Sequence, residues 1–94
     1  MNERDFENFL NKASTTPAAT ATRIKWAKKA EELLGMSLDT VVSDDDTMFE
    51  ALHELRKNED PKHNRIQNAV RKYYQFRNGK EFPQLRHYHS PKHP

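Results

Sequence analysis

The polar residues of the last predicted helix have the types and spacing needed to contact a nucleic acid. Arg65, Asn68, Lys72 and Gln75 recur at intervals of three and four residues, which places them on one stripe of a helix. Arginine and lysine neutralise phosphates, while arginine, asparagine and glutamine can hydrogen-bond base edges in the major groove. The residues that we assign to this contact are Arg65, Asn68, Arg71, Lys72, Arg77 and Lys80.

A second group of cations lies on the longest predicted helix, at Arg23, Lys25, Lys28 and Lys29. The three lysines share one face of that helix, and such a face can neutralise several phosphates because each lysine is a mobile point charge. The alternative is a solvated surface on which Lys28 and Lys29 pair with neighbouring glutamates.

The charge of the chain changes sign at Pro61. Residues 1–60 hold 8 Lys and Arg against 13 Asp and Glu, a net charge of −5. Residues 61–94 hold 8 Lys and Arg against the single acid Glu81, a net charge of +7. A basic region interleaved with aromatic residues is typical of a protein that binds a phosphate backbone, so we expect DNA as the partner. Alternatively, the basic helix neutralises the acidic segment 44–60 within the molecule.

The acidic segment supports a competing hypothesis, in which the chain is a small protein-interaction module. A negative surface can mimic phosphate, so an inhibitor or adaptor can use it to occupy a basic cleft of a partner. The simplest interpretation is that the aspartates cap a helix and complement its dipole. A third hypothesis is a fragment of a larger assembly. The residues of the interaction hypothesis are Asp44, Asp45, Asp46, Glu50 and Glu54.

No set of residues in the sequence predicts an enzyme or a metal site. The acidic run lacks the glycine and the ligand spacing of a calcium loop, and the terminal tract with His87, His89 and His93 has no cysteine or acid beside it. Tyr73 is expected in the core, and Tyr74 is expected to reach solvent, but neither has the activating partners of a nucleophile. We expect no catalysis, no cofactor and no small-molecule substrate.

Helices must position these residues, and the apolar periodicity predicts four or five of them. They cover residues 3–13, 18–34, a turn or one-turn helix within 36–42, a helix from the acidic cap to Asn58, and a last helix opened by Pro61 and ended at Gly79. The sequence therefore predicts an all-α bundle over residues 1–85, with a flexible tail over 86–94. No apolar run approaches the roughly 18 residues of a membrane helix, and cysteine is absent, so we expect a cytoplasmic protein.

Two stretches of the chain resemble a known family. The segments TATRIKWAKKAEELLGMSLDTVVSDDD and NRIQNAVRKYYQFRNGK are similar to the opening and the last helix of the core-binding domain of phage-integrase-like tyrosine recombinases. The resemblance covers about residues 20–80 and implies a bundle like the sterile-alpha-motif fold that clamps one face of duplex DNA. The family's catalytic Arg, His-x-x-Arg and Tyr domain is not in this sequence. The resemblance therefore implies a non-catalytic DNA-binding module, such as an accessory or regulatory factor of a phage or mobile element.

Overall fold

The structure, a computed structural model, describes residues 1–13, 16–59 and 63–89. These residues form five α-helices and a short 3-10 turn, without a strand: α1 Glu3–Lys12, α2 Pro17–Leu34, α3 Leu38–Val42, α4 Asp45–Arg56, α5 Arg65–Asn78 and the turn Leu85–His87. The prediction of an all-α bundle of four to five helices is confirmed. Within the described ranges, none of the helices combines the length and the apolar content required to cross a membrane.

Local sequence sets most of the helix ends. The side chains of Thr16, Ser37 and Asp44 each accept a hydrogen bond from a backbone N–H in the first turn of α2, α3 and α4. Gly35 and Gly79 follow α2 and α5 with φ of 68° and 74°, the left-handed conformation that glycine adopts without a steric penalty. The predicted acidic cap of the fourth helix and the predicted stop at Gly79 are therefore confirmed.

The last helix begins later than the sequence predicts. Its first residue is Arg65, with Asn64 in the N-cap position, so Pro61 does not open it. Pro61 itself lies outside the described residues.

The packing of α2 against α5 is the most extensive contact between helices in the described part of the chain. α2 and α5 each contact all of the other helices, so this pair lies at the centre of the bundle. The aromatic contact between α1 and α5 is edge-to-face, with 5.0 Å between the ring centres of Phe6 and Tyr73. The largest fully buried side chains include Tyr73, Tyr74, Phe6, Leu10, Leu38 and Met48.

Tyr74 is buried, so the expectation that it reaches solvent was wrong. It lies at the edge of the apolar stripe of α5, and the segment after Gly79 folds back over that edge. Phe82 packs edge-to-face on Tyr74 with 5.1 Å between the ring centres, and Tyr88 contacts both Phe82 and Phe49. The packing of Tyr88 extends the folded part of the chain beyond residue 85. Residues 90–94 of the predicted tail lie outside the described residues.

Each of the three tyrosines donates its hydroxyl to an aspartate of the acidic half. The Tyr73 hydroxyl donates to Asp39, and that of Tyr74 lies 2.8 Å from an oxygen of Asp45. Burial and the bond to the carboxylate raise the pKa of each of these two tyrosines to about 12.

The third of these bonds joins the end of the chain to α4. Tyr88 donates to Asp46 at 2.5 Å, and this bond, followed by burial, raises the pKa of Tyr88 to about 12. The segment after α5 is thus tied to the start of α4 by a hydrogen bond as well as by the contact between Tyr88 and Phe49.

The first residues of the chain are tied to the same network. The Met1 ammonium lies 3.1 Å from Glu31 and 3.3 Å from Asp39, and the backbone N–H of Asn2 donates to the Tyr73 hydroxyl at 2.8 Å. Burial disfavours the charge on the ammonium, but the two carboxylates outweigh it and raise the pKa of that group. Burial also acts against the charge on Asp39, but the bond from Tyr73 and the ammonium hold the pKa of its carboxyl below the ordinary value.

We expect the three tyrosines to ionise near pH 12 in the folded protein instead of near their ordinary value of 10.0. The folded pKa lies above the unfolded one, so the stabilisation is complete below pH 10 and is lost as the pH rises through about 12. Tyrosinate absorbance, followed together with helical circular dichroism in a pH titration, checks this. Full tyrosine ionisation near pH 10 in a chain that remains helical would contradict it.

Candidate nucleic-acid interface

A continuous groove runs along α5, between α2 on one side and residues 81–84 on the other. Its upper part, of about 350 Å³, is lined by residues of α2 together with Arg65 and Asn68. Its lower part, of about 440 Å³, is lined by Asn68, Lys72 and Gln75 of α5 and by residues of the segment 81–84. Arg23 and Asn68 line both parts, so the two form one surface.

Two cations of the upper part of the groove, Arg23 and Arg65, form no ion pair among the described residues. Arg65 lies against Trp26, as does Lys25, which lines neither part of the groove. The Lys25 ammonium is 5.3 Å and the Arg65 guanidinium 5.9 Å from the centre of the indole ring. A cation over an indole ring is held by the ring quadrupole without being neutralised, so its positive charge remains available to an anion.

The stripe predicted on α5 lies along this groove. Arg65 and Asn68 are exposed, and Lys72 and Gln75 are half-buried. The Lys72 ammonium donates to the side-chain oxygen of Gln75 at 3.2 Å, which orients both side chains. The sequence pattern therefore placed these four residues on one surface, and the tertiary structure adds Arg23 to them from α2.

Arg71 has a different position from the other cations of α5. Its guanidinium donates to the backbone oxygens of Phe82 and Pro83 at 2.9 and 3.1 Å and lies 5.9 Å from the Phe82 ring centre. Burial lowers the pKa of this guanidinium, while the nearby Glu81 acts to raise it. Arg71 therefore fixes the segment that forms the second wall of the groove.

Several predicted contact residues lie outside the groove and are paired with acids. Lys28 pairs with Glu3 of α1 at 2.7 Å, and Lys29 pairs with Glu32 at 3.7 Å. The alternative in which neighbouring glutamates neutralise these lysines thus holds for Lys29, whereas the partner of Lys28 comes from another helix. Neither lysine lines the groove beside α5.

The far end of α5 is also separate from the groove. Arg77 lies 3.8 Å from Asp39, and Lys80 is exposed just after Gly79. Among the described residues, the contact between Arg77 and Asp39 is the only ion pair that joins the basic part of the chain to the acidic one. No ion pair of the described residues joins a cation of α5 to the acidic segment 44–60, but the Glu59 carboxylate of that segment accepts from the backbone N–H groups of Ile66 and Gln67 at 2.6 and 3.2 Å.

The acidic residues of the protein-interaction hypothesis lie at the start of α4 and along it, and most of them form contacts within the molecule. Asp44 accepts hydrogen bonds from the backbone N–H and the hydroxyl of Thr47, both at 2.9 Å. Asp45 and Asp46 accept the tyrosine hydroxyls described above, and Glu54 lies 3.5 Å from Lys57. Glu50 is exposed on the same helix. In the described residues, no group of three or more metal-ligating side chains comes together.

Two further residues of the groove were not predicted from the sequence. Trp26 lies three residues after Arg23 and therefore on the same side of α2, which is the signal by which the sequence could have placed it in the groove. Its indole N–H is buried without a hydrogen-bond partner in the described structure. Glu81, the one acid of the basic part, lines the lower groove.

No protein-family model, no curated protein and no solved structure matches this chain. The resemblance to the core-binding domain of tyrosine recombinases therefore stays a prediction.

We expect Arg71→Lys to destabilise the fold, because lysine keeps the charge but cannot reproduce the planar guanidinium that donates to two carbonyls. The free energy of unfolding should fall by about 1–3 kcal/mol, the cost of losing hydrogen bonds to a charged group. Arg65→Lys is the matched control and should change it by less than about 0.5 kcal/mol, as is usual at exposed sites. Urea unfolding measures both, and an equal effect of the two variants would contradict a structural role specific to Arg71.

Proposed function

We propose that this chain is a non-catalytic DNA-binding module that holds phosphates along the groove beside α5. One observation carries the proposal, namely the convergence of Arg23, Arg65 and Lys72 on one groove without an ion pair among the described residues. A cation that is already paired gains little from a phosphate, because it must first give up its carboxylate. Unpaired cations gain the whole attraction and also release the counterions of the DNA.

The charge distribution of the chain supports the same proposal. Three aspartates of the acidic half accept hydrogen bonds from tyrosine hydroxyls of the basic half. These hydrogen bonds do not neutralise the positive charge of any cation in the groove. The resulting surface can attract a polyanion from a distance, which speeds association and makes it dependent on salt.

The interaction hypothesis has less support from the geometry. Its residues Asp44, Asp45 and Asp46 cap α4 and hold Tyr74 and Tyr88, so a partner would compete with bonds that stabilise the fold. The resemblance to recombinase core-binding domains suggests a biological role for the DNA-binding module. In that role the chain is an accessory or regulatory factor of a phage or mobile element. The all-α bundle agrees with that resemblance at the level of fold class.

We expect the purified chain to bind duplex DNA with an affinity that falls steeply with salt. The three cations Arg23, Arg65 and Lys72 predict a slope of log K against log salt of about −3, at about −0.9 for each phosphate. The triple variant Arg23→Ala, Arg65→Ala and Lys72→Ala should lose all three contacts and bring the slope close to zero. Fluorescence anisotropy at several salt concentrations measures both.

The matched control for this experiment is the triple variant Lys28→Ala, Lys29→Ala and Lys57→Ala. It loses the same three charges, but each of these lysines has an acidic partner and none lines the groove beside α5. Its slope should stay close to that of the unchanged chain. If both triple variants weaken binding equally, binding reflects net charge and the proposed surface is wrong.

Removal of the acid in the groove should have the opposite effect. Glu81 lines the lower groove beside Lys72, so it repels a bound phosphate. Glu81→Gln should tighten binding about two- to fivefold, the size of a single interaction between partly solvated charges. Glu54→Gln makes the same change of charge on α4 and should have a smaller effect. Weaker binding by Glu81→Gln in the anisotropy assay would argue against phosphate in this groove.

A further inference from the structure

The shape of the groove restricts how DNA can lie in it. We infer, on the basis of the proposed function, that the groove takes the sugar–phosphate backbone of one DNA strand and does not read the bases. The ligand chemistry is a run of phosphodiesters, and the inference departs from the sequence pattern, in which Asn68 and Gln75 suggested recognition of base edges.

The neighbours of α5 keep its polar stripe away from the base edges of DNA. A helix packed on other helices can enter a major groove about 12 Å wide, but it does so through a face that projects from its domain. Here the stripe of α5 forms the floor of the groove, with α2 on one side and residues 81–84 on the other. A floor between two walls does not project into a major groove.

The exposed stripe of α5 matches the dimensions of a single strand instead. Arg65 and Lys72 are seven residues apart, which is about 10 Å along the helix axis at about 1.5 Å per residue. One strand of duplex DNA advances about 3.4 Å along the duplex axis for each phosphate and also winds around that axis, so its phosphates lie further apart and this length spans about two of them. Arg23 on α2 stands across the groove from Lys72, and the two can contact the same strand from its two sides.

The amide side chains are arranged as donors to phosphate. Bidentate recognition of adenine needs both the oxygen and the nitrogen of a Gln or Asn amide. The side-chain oxygen of Gln75 accepts from Lys72 through one of its two lone pairs, and the N–H groups of the same amide can donate to a phosphate without breaking that bond. A phosphate oxygen accepts from such a group whatever the base, so contacts of this kind fix position without carrying sequence information.

The fluorescence of Trp26 can report on DNA binding in the groove. Trp26 is the single tryptophan of the chain, and its ring lies against Lys25 and Arg65. A DNA strand whose phosphate binds Arg65 places a negative charge beside the indole ring. We therefore expect the fluorescence emission of Trp26 to change when DNA binds in the groove. Trp26 also lines the neighbouring cleft that holds Lys25, Lys28 and Lys29, so the triple variants described above are needed to assign an emission change to the groove.

The test is a set of duplexes of equal length with only A·T pairs, only G·C pairs or mixed sequence, each titrated at one low salt concentration. Anisotropy of the labelled DNA gives the affinity, and Trp26 emission reports on the groove. We expect dissociation constants within about threefold of each other and the same emission change for all three duplexes. A preference of tenfold or more, or binding without an emission change, would overturn the inference and leave DNA binding itself intact. Absence of binding to every duplex would overturn the proposed function as well.

The variants Asn68→Ala and Gln75→Ala complete the test, with Lys57→Ala as a control away from the groove. Loss of a phosphate contact should weaken binding by the same factor on all three duplexes. Loss of a bidentate base contact should instead weaken binding selectively, by about five- to 150-fold on the preferred sequence. A selective loss by either variant would show that the amides read bases and would reject backbone-only recognition.

Discussion

The close packing of α2 on α5 is the contact on which the rest of the structure depends. Ala27 and Ala30 of α2 and Ala69 of α5 are fully buried, and small side chains on buried faces allow helices to approach closely. This approach buries the apolar stripes of both helices and aligns their polar edges. The groove is therefore a product of the core, since Arg23 and Arg65 share a surface only while the two helices remain packed.

The tyrosines explain how a chain with such divided charge folds without neutralising itself. A buried tyrosine supplies a large apolar body and a hydroxyl that needs a partner, and an aspartate supplies an acceptor. The pairing of Tyr73 with Asp39 and of Tyr74 with Asp45 joins the two halves of the chain through neutral donors. The cations of the groove consequently keep their charge, although the chain carries almost as many acids as bases.

Much of the fold could be predicted because its determinants are local. The helical period of apolar residues, the caps at Ser37 and Asp44 and the glycine after α2 act within one or two turns of chain. The stripe from Arg65 to Gln75 was predictable for the same reason, since a helix alone fixes which of its residues share a side. The start of α5 was not predicted correctly, because a proline permits a helix to begin but does not require it.

The sequence by itself determined the helices, the all-α class and the side of α5 that carries its cations. The tertiary structure decided what each cation faces, because that depends on residues distant along the chain. Arg71 and Lys72 are adjacent in sequence and both line the groove, yet Arg71 donates to the carbonyls of the returning segment whereas Lys72 donates to Gln75. Tyr74 was assigned to solvent from the helical period alone, and the return of Phe82 over it reversed that assignment. The helical period of the sequence determines the side of a helix on which a residue lies. Only the elements packed against that side determine whether its side chain contacts water, an acid or the groove.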